Sequence, residues 1–191
     1  MSVFTTGRVT VLLADYANID AAGKVNVLGG FFAPLGYNPQ TKHAAAHQLI
    51  VVIDVPLSEA GQEFPLQLQL RNQTRGEVVR FISPEGRLEP LQIAQAQRVP
   101  PAPALPGLTL PPDHPIRMQT VLGIDAGVAA VEPGEHYAWK VSIDGQSKPG
   151  WDARFSVPGG PPPPVIGGLA GPADIPDLSP PPPVGPSDPQ G

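Results

Sequence analysis

The chain has 191 residues, of which 28 are proline, 21 are glycine and none is cysteine. Without cysteine there is no disulfide framework, iron–sulfur cluster or cysteine-ligated zinc, and the prolines and glycines follow no Gly-X-Y period, which excludes a collagen-like helix. A net charge of −5, from 12 basic and 17 acidic residues, argues against nucleic acid or an anionic membrane as partner, since both need a concentrated basic surface.

Period-2 alternation dominates the chain from its start, and on a strand that period separates one dry face from one wet face. Strands are expected over 8–14 and 24–33, joined by the turn Asp20-Ala21-Ala22-Gly23, where Gly23 can take a positive φ. Gly29-Gly30 inside the second strand marks a bulge or a close backbone approach. The apolar run 49–55, in a strand over 47–55, reads as a central strand. In the next, 64–71, Leu66, Leu68 and Leu70 share one face and Gln67 and Gln69 the other. Strands 77–83 and 88–96 flank Pro84-Glu85-Gly86. The stretch 100–115 holds seven prolines and cannot be a central strand, because proline has no ladder donor. It reads as a crossover between sheets or a protruding arm. Strand 117–124 follows. Then come 136–143, closed by the hairpin signal Asp144-Gly145, and 151–157.

No stretch carries a capped amphipathic helix of more than two turns. Eight or nine short strands with regular turns predict an all-β fold, an antiparallel β-sandwich of Ig-like or related topology over 1–157. Thirteen of the prolines fall after Val157, where no aromatic residue occurs and the only charges are Asp174, Asp177 and Asp188. Residues 158–191 therefore read as an extended or disordered proline- and glycine-rich tail.

Leu12-Leu13-Ala14-Asp15-Tyr16-Ala17, followed by Gly23-Lys24-Val25-Asn26-Val27-Leu28-Gly29-Gly30-Phe31, resembles the opening signature of an uncharacterised bacterial family of β-sandwich domains of unknown function. In that signature an apolar strand ends in Ala-Asp-x-Ala, and Gly-Lys starts a strand ending in Leu-Gly-Gly. The stretch from Pro133-Gly134 through Tyr137, Trp139, Val141 and Ile143 to Asp144-Gly145, with Phe155-Ser156-Val157, is similar to the family's closing hairpin. The resemblance spans 8–157 and implies the fold. It implies no activity, ligand or cofactor.

Each chemically suggestive group has an ordinary structural reading beside it. His43 and His47 would share a face on a helix, as metal-ligand pairs do, but no third ligand is near and a solvent-exposed loop is expected. Asp15, Asp20, Asp54, Asp125 and Asp144 lie near strand ends or turns. Loop aspartates can hold calcium, yet aspartate is also a preferred turn residue. Ser142 belongs to a polar strand face and Ser83 to a turn, with no nucleophile elbow or phosphate loop present. Arg71, Arg75 and Arg80 read as the solvated face of a hairpin, and Trp139 and Trp151 as core.

In the tail, the prolines Pro161, Pro162, Pro163 and Pro164 are followed by apolar beads at Val165, Ile166, Leu169, Ile175 and Leu178. Polyproline helix is preformed and loses little entropy on docking, so these residues are the expected partner-docking segment. The expectation is a non-enzymatic interaction or structural module without cofactor. Its sandwich and arm dock on a protein partner or a neighbouring copy, as in an accessory component of a phage particle or other large assembly. A calcium- or small-ligand-binding sandwich is the alternative, and an enzyme comes last. No apolar run reaches the ~20 residues of a membrane helix and no signal segment opens the sequence, so the expected location is the cytoplasm, or the virion for a phage protein.

Overall fold

The computed structural model describes residues 2–31, 33–103, 106–125, 127 and 131–159. The chain divides into two units at Gly160, and the described residues belong to the first. Their fold is all-β. A one-turn helix, Val3–Thr6, is capped by the Ser2 hydroxyl, which accepts a bond from the Phe4 N–H. It is followed by β1 (Arg8–Ile19), β2 (Val25–Gly30), β3 (Tyr37–Asn38), β4 (His43–Ala44) and β5 (His47–Pro56). A 3₁₀ turn, Leu57–Glu59, leads into β6 (Glu63–Asn72), β7 (Glu77–Val78), β8 (Arg80–Ile82), β9 (Leu88–Pro90) and β10 (Gln92–Arg98). The last strands are β11 (Pro115–Ile124), β12 (His136–Ile143) and β13 (Asp152–Ser156).

Among the described residues every pairing between two of these strands is antiparallel, and a single parallel bridge joins Pro34 to Ser156 of β13. A four-stranded sheet has the order β11-β5-β1-β2, and a second sheet runs β10-β6-β12-β13 with β7 beside β6. β5 is central, as its apolar run requires: it pairs β1 through Val9↔Ile53 and β11 through Met118↔Ile53. In the second sheet Trp139 stands between Leu70 and Ala153. One buried cluster draws on both sheets, with Val9, Val11, Leu49, Val51 and Ile53 from the first and Leu66, Leu68, Leu70, Trp139 and Phe155 from the second. The proline-rich 100–115 stretch links β10 in one sheet to β11 in the other. It is anchored where Leu57 N–H donates to His114 O at 2.8 Å and Ser58 N–H to Pro112 O at 3.0 Å.

Four expectations need correction. Eight or nine strands are expected and thirteen form among the described residues, because two of them break in two and the short pair β3 and β4 lies where none was expected. β1 runs on to Ile19, five residues past the end expected from apolar alternation. The strand expected over 77–83 is two short pieces, β7 and β8, and that expected over 88–96 is β9 and β10. Val79 and Leu91 sit at the two breaks, each buried and bonded to the other or to Leu70. His47 is not in a solvent-exposed loop. It opens β5 in phase with Leu49 and Val51, which points it inward, and it is 3% exposed.

Candidate functional site

The over-long β1 creates the most unusual surface of the described residues. β1 pairs β5 over Arg8–Ala14 and β2 from Ala14 onward, so that Tyr16–Ile19 pairs β2 alone. The result is a two-stranded ribbon, and such ribbons are marginal unless one face is packed. Here Ala17 and Val25 supply that face, packing with Ala14, Ile50, Leu12, Val52 and Val121 in a second apolar cluster apart from the main core. The tip, at Ile19 and Gly23, borders Met118 and Gln119 of β11 across a shallow cleft. The ribbon thus folds over the outside of the four-stranded sheet.

Its turn is built as the sequence implies. Gly23 has φ 75°, and the Asp20 carboxylate accepts bonds from the Ala22 and Lys24 N–H groups at 2.9 Å each. At the other end Gly29 has φ 63°, and a Cβ placed there would stand 2.0 Å from Asp15 Oδ2 and 3.0 Å from Asp15 Cβ. Asp15 and Gly29, both in the opening signature, lie against each other in the ribbon. At both glycines the close approach is by a side chain, Asp15 at Gly29 and Val27 at Gly30.

The ribbon's outer face mixes apolar and polar side chains, with the cross-strand pair Asn18 and Asn26 exposed beside Tyr16 and Leu28. Tyr16 and Leu28 are cross-strand partners, and both are exposed, Leu28 to 69%. Ile19 and Val27 are partly exposed, and Phe31 is 78% exposed. Among the described residues, five of the eight exposed large hydrophobic residues therefore sit on or next to this hairpin, and clustering, unlike scattered exposure, marks an interaction surface. Phe31 also has φ 65°, a left-handed backbone costing roughly 1–2 kcal/mol for a residue with a Cβ. Its ring repays none of this through burial. Among the described residues β2 is the terminal strand of its sheet and its outer edge of N–H and C=O groups has no strand partner, and no charged residue or proline lies between Val25 and Gly30. Sequence reasoning missed this surface because alternation assigns a buried face to every strand. The available signal was the length of apolar sequence beyond what β5 can pair.

The other candidate residues have structural roles. His43 and His47 do not share a face. The His43 ring packs on Gly127, whose added Cβ would lie 2.9 Å from it, while His47 reaches the core. Trp139 Nε1–H donates to His47 Nε2 at 3.3 Å, and His47 Nδ1 lies 3.2 Å from Ala45 O. These contacts select the neutral ring with its proton on Nδ1. Burial lowers the His47 pKa below the usual value, opposed by its bond to Ala45 O. The unfolded chain therefore takes up a proton near pH 6.5 that the native state refuses. Stability is expected to fall as pH drops below about 6.5, with a slope of at most about 1.4 kcal/mol per pH unit, until the lowered native pKa is reached. Denaturant midpoints measured against pH check this, and His47→Gln should flatten the dependence.

Asp54 holds Arg117 in a two-pronged ion pair, Oδ1 to Nε at 2.7 Å and Oδ2 to Nη2 at 3.0 Å. Asp144 and Gly145 have φ 52° and 72°, as a type I′ hairpin requires. Asp125 is exposed after β11. Among the described residues no group of three or more His, Asp or Glu side chains could hold a metal ion. The Ser83 hydroxyl accepts from Arg87 N–H in the β8–β9 turn, and Ser142 donates to Gln67 Oε1. Trp139 and Trp151 are buried, and Trp151 meets Phe4 edge to face. Arg75 is not simply solvated. It bridges Glu132 and Glu135 in front of β12, and Glu135 is held below the usual carboxylate range chiefly by the Thr74 hydroxyl, with help from Asn72 and Arg75. The tail residues Pro161, Pro162, Pro163, Pro164, Val165, Ile166, Leu169, Ile175 and Leu178 lie outside the described residues.

Among the described residues no helix is long and apolar enough to cross a membrane. No protein-family model matches the chain, and no curated protein or solved structure matches it either. The family resemblance of the opening segment rests on the quoted residues alone.

Proposed function

We propose that the protein is a non-enzymatic assembly module, a β-sandwich whose layers are the two main sheets and which docks through the β1–β2 ribbon. The observation that carries this reading is the cluster of exposed apolar side chains Tyr16, Leu28 and Phe31 beside an edge of β2 that is unpaired among the described residues. An edge of this kind accepts a further strand, with main-chain bonds giving affinity and alternate side chains giving fit. The occupant proposed is β2 of a second copy. An antiparallel two-fold pairing is self-complementary, and the lack of charge from Val25 to Gly30 means no like charges meet across it. The strain at Phe31 supports the same reading, because an exposed ring on a left-handed backbone gains nothing within one copy. The proline-rich segment beyond Val157 is read from its composition as a second, separate docking element for a protein partner. Repeated units with an edge contact and an arm suit a component of a larger assembly.

Light scattering on the full chain tests the edge contact. The expected mass is twice the 20.0 kDa of one chain, and Leu28→Glu should return it to one copy by setting a charge in the pairing edge. Phe31→Gly should weaken the dimer while leaving the fold as stable as before or more so. A wild-type chain that stays single at high micromolar concentration overturns the reading, as does a dimer indifferent to Leu28→Glu.

A further inference from the structure

We infer that the outer surface of the five-stranded sheet carries a binding groove for an acidic polypeptide segment, formed by Arg71, Lys140, Lys148 and Arg154. It lies on β6, β12, β13 and the loop after β12, so it stands or falls separately from the β2 edge. The groove encloses about 510 Å³ and includes all four cations in its walls. One carboxylate, Asp152, is among its lining residues, and it is occupied by Arg154 Nε at 2.6 Å. A chain of net charge −5 has therefore gathered a third of its basic residues at one place with a single acid among them.

The strand register produces this gathering. Arg71 and Arg154 are both cross-strand neighbours of Ala138, one on each side. Two strand spacings put their backbones about 10 Å apart, over a side chain too small to separate them. Lys140 is two residues along β12 and so on the same face, opposite Asp152 in the register, and its exposed side chain makes no hydrogen bond or ion pair among the described residues. Like charges this close repel, and an anion lying between them removes the repulsion.

The cations are also held in place before any ligand arrives. Arg71 Nη2 donates to Gly76 O at 3.1 Å, and Lys148 Nζ donates to Thr5 O at 2.9 Å. Lys148 further lies 5.0 Å from the Phe4 ring centre and 5.1 Å from that of Trp151. Neither Arg71 nor Lys148 spends its charge on a carboxylate. The Ser147 hydroxyl, which also lines the groove, is buried with no hydrogen-bond partner and offers a donor. Ordering these groups in advance lowers the entropy cost of binding.

The shape favours a peptide over other anions. Ala138 and Lys140 are about 7 Å apart along the strand, the spacing of side chains at alternate positions of an extended chain. The groove is an open trough, not an enclosed pocket suited to a small molecule. Nucleic acid would be repelled at range by the net negative charge, and it would find no stacking platform, because Trp151 is only 5% exposed.

Calorimetric titration of the full chain at low ionic strength tests the groove. The probes are a ten-residue peptide alternating glutamate and alanine, its glutamine counterpart, inorganic phosphate and a single-stranded oligonucleotide. Saturable heat is expected for the glutamate peptide and none for the glutamine one. Lys140→Gln, which breaks no bond in the fold, should weaken binding about fivefold, and the Arg71→Gln, Lys140→Gln double variant tenfold or more. Arg98→Gln, on β10, should change nothing. The inference is overturned by no saturable heat with the glutamate peptide, by equal binding of both peptides, or by unchanged affinity in Lys140→Gln. Tighter binding of phosphate or of the oligonucleotide than of the glutamate peptide overturns it as well.

Discussion

Replacing Trp139 by alanine is expected to lower the stability of the folded unit by about 3–5 kcal/mol, the range for removing a fully buried aromatic side chain. Trp139 is the largest of the fully buried side chains and is 0% exposed. It stands at the centre of the five-stranded sheet, opposite Leu70 on one side and Ala153 on the other. From there it joins the core residues of the four-stranded sheet. Alanine would leave a cavity that strand-borne neighbours cannot close, since their backbones are held by ladder bonds on both sides. The loss is a large share of the roughly 5–15 kcal/mol that domains possess, so the variant should unfold at much lower urea, with circular dichroism following the sheet signal. Trp139→Phe separates the two contributions of the side chain. It keeps most of the volume but removes the indole N–H that donates to His47, and about 1–2 kcal/mol is expected. A loss under about 1 kcal/mol for Trp139→Ala would show that the two sheets do not share this residue as a core.

The same residue shows what the amino-acid order made legible. Trp139, Tyr137, Val141 and Ile143 are all buried and alternate with His136, Ala138, Lys140 and Ser142. Leu66, Leu68 and Leu70 behave likewise. Turn chemistry was equally readable, because Asp20 to Gly23 and Asp144-Gly145 need a particular backbone and the residues that adopt it are few. The seven prolines of 100–115 left a crossover or a protruding arm as alternatives, and the crossover is the one that the sheet order shows.

Other features depend on residues far apart in sequence. The binding groove is one: Arg71 and Arg154 are 83 positions apart and meet only because both flank Ala138. Read in order, Arg71 was grouped with Arg75 and Arg80. Yet Arg75 turns toward Glu132 and Glu135, and Arg80 belongs to a separate two-stranded pairing with β9. The burial of His47 was hidden for a similar reason, since its partner Trp139 is 92 positions away. The exposed ribbon escaped notice because alternation marks which residues share a face but not whether anything covers it.

Gly29→Val is expected to be the most damaging single change in that ribbon, at about 2–4 kcal/mol. Two costs combine. At φ 63° a β-branched side chain meets the backbone sterics that make left-handed geometry rare for such residues. Its Cβ would also press into Asp15, 2.0 Å from Oδ2 and 3.0 Å from Cβ. Oδ2 can swing away but the Asp15 Cβ cannot, because it is fixed to β1. The two costs can be told apart with alanine. Gly29→Ala should be destabilising by about 1–3 kcal/mol, and adding Asp15→Gly should restore only the steric part, leaving the backbone part of roughly 1 kcal/mol or more. Hydrogen exchange of the β2 amides is the suitable readout, since the ribbon can open while the main core stays closed. Protection should fall across Val25–Gly30 in Gly29→Val and persist in β6 and β12. If the β2 edge is where a second copy pairs, the same variant should also lose the dimer. Loss of protection in β6 as well would mean that the ribbon and the core unfold as one unit, and the contact of Asp15 with Gly29 would then support the whole fold and not the docking edge alone.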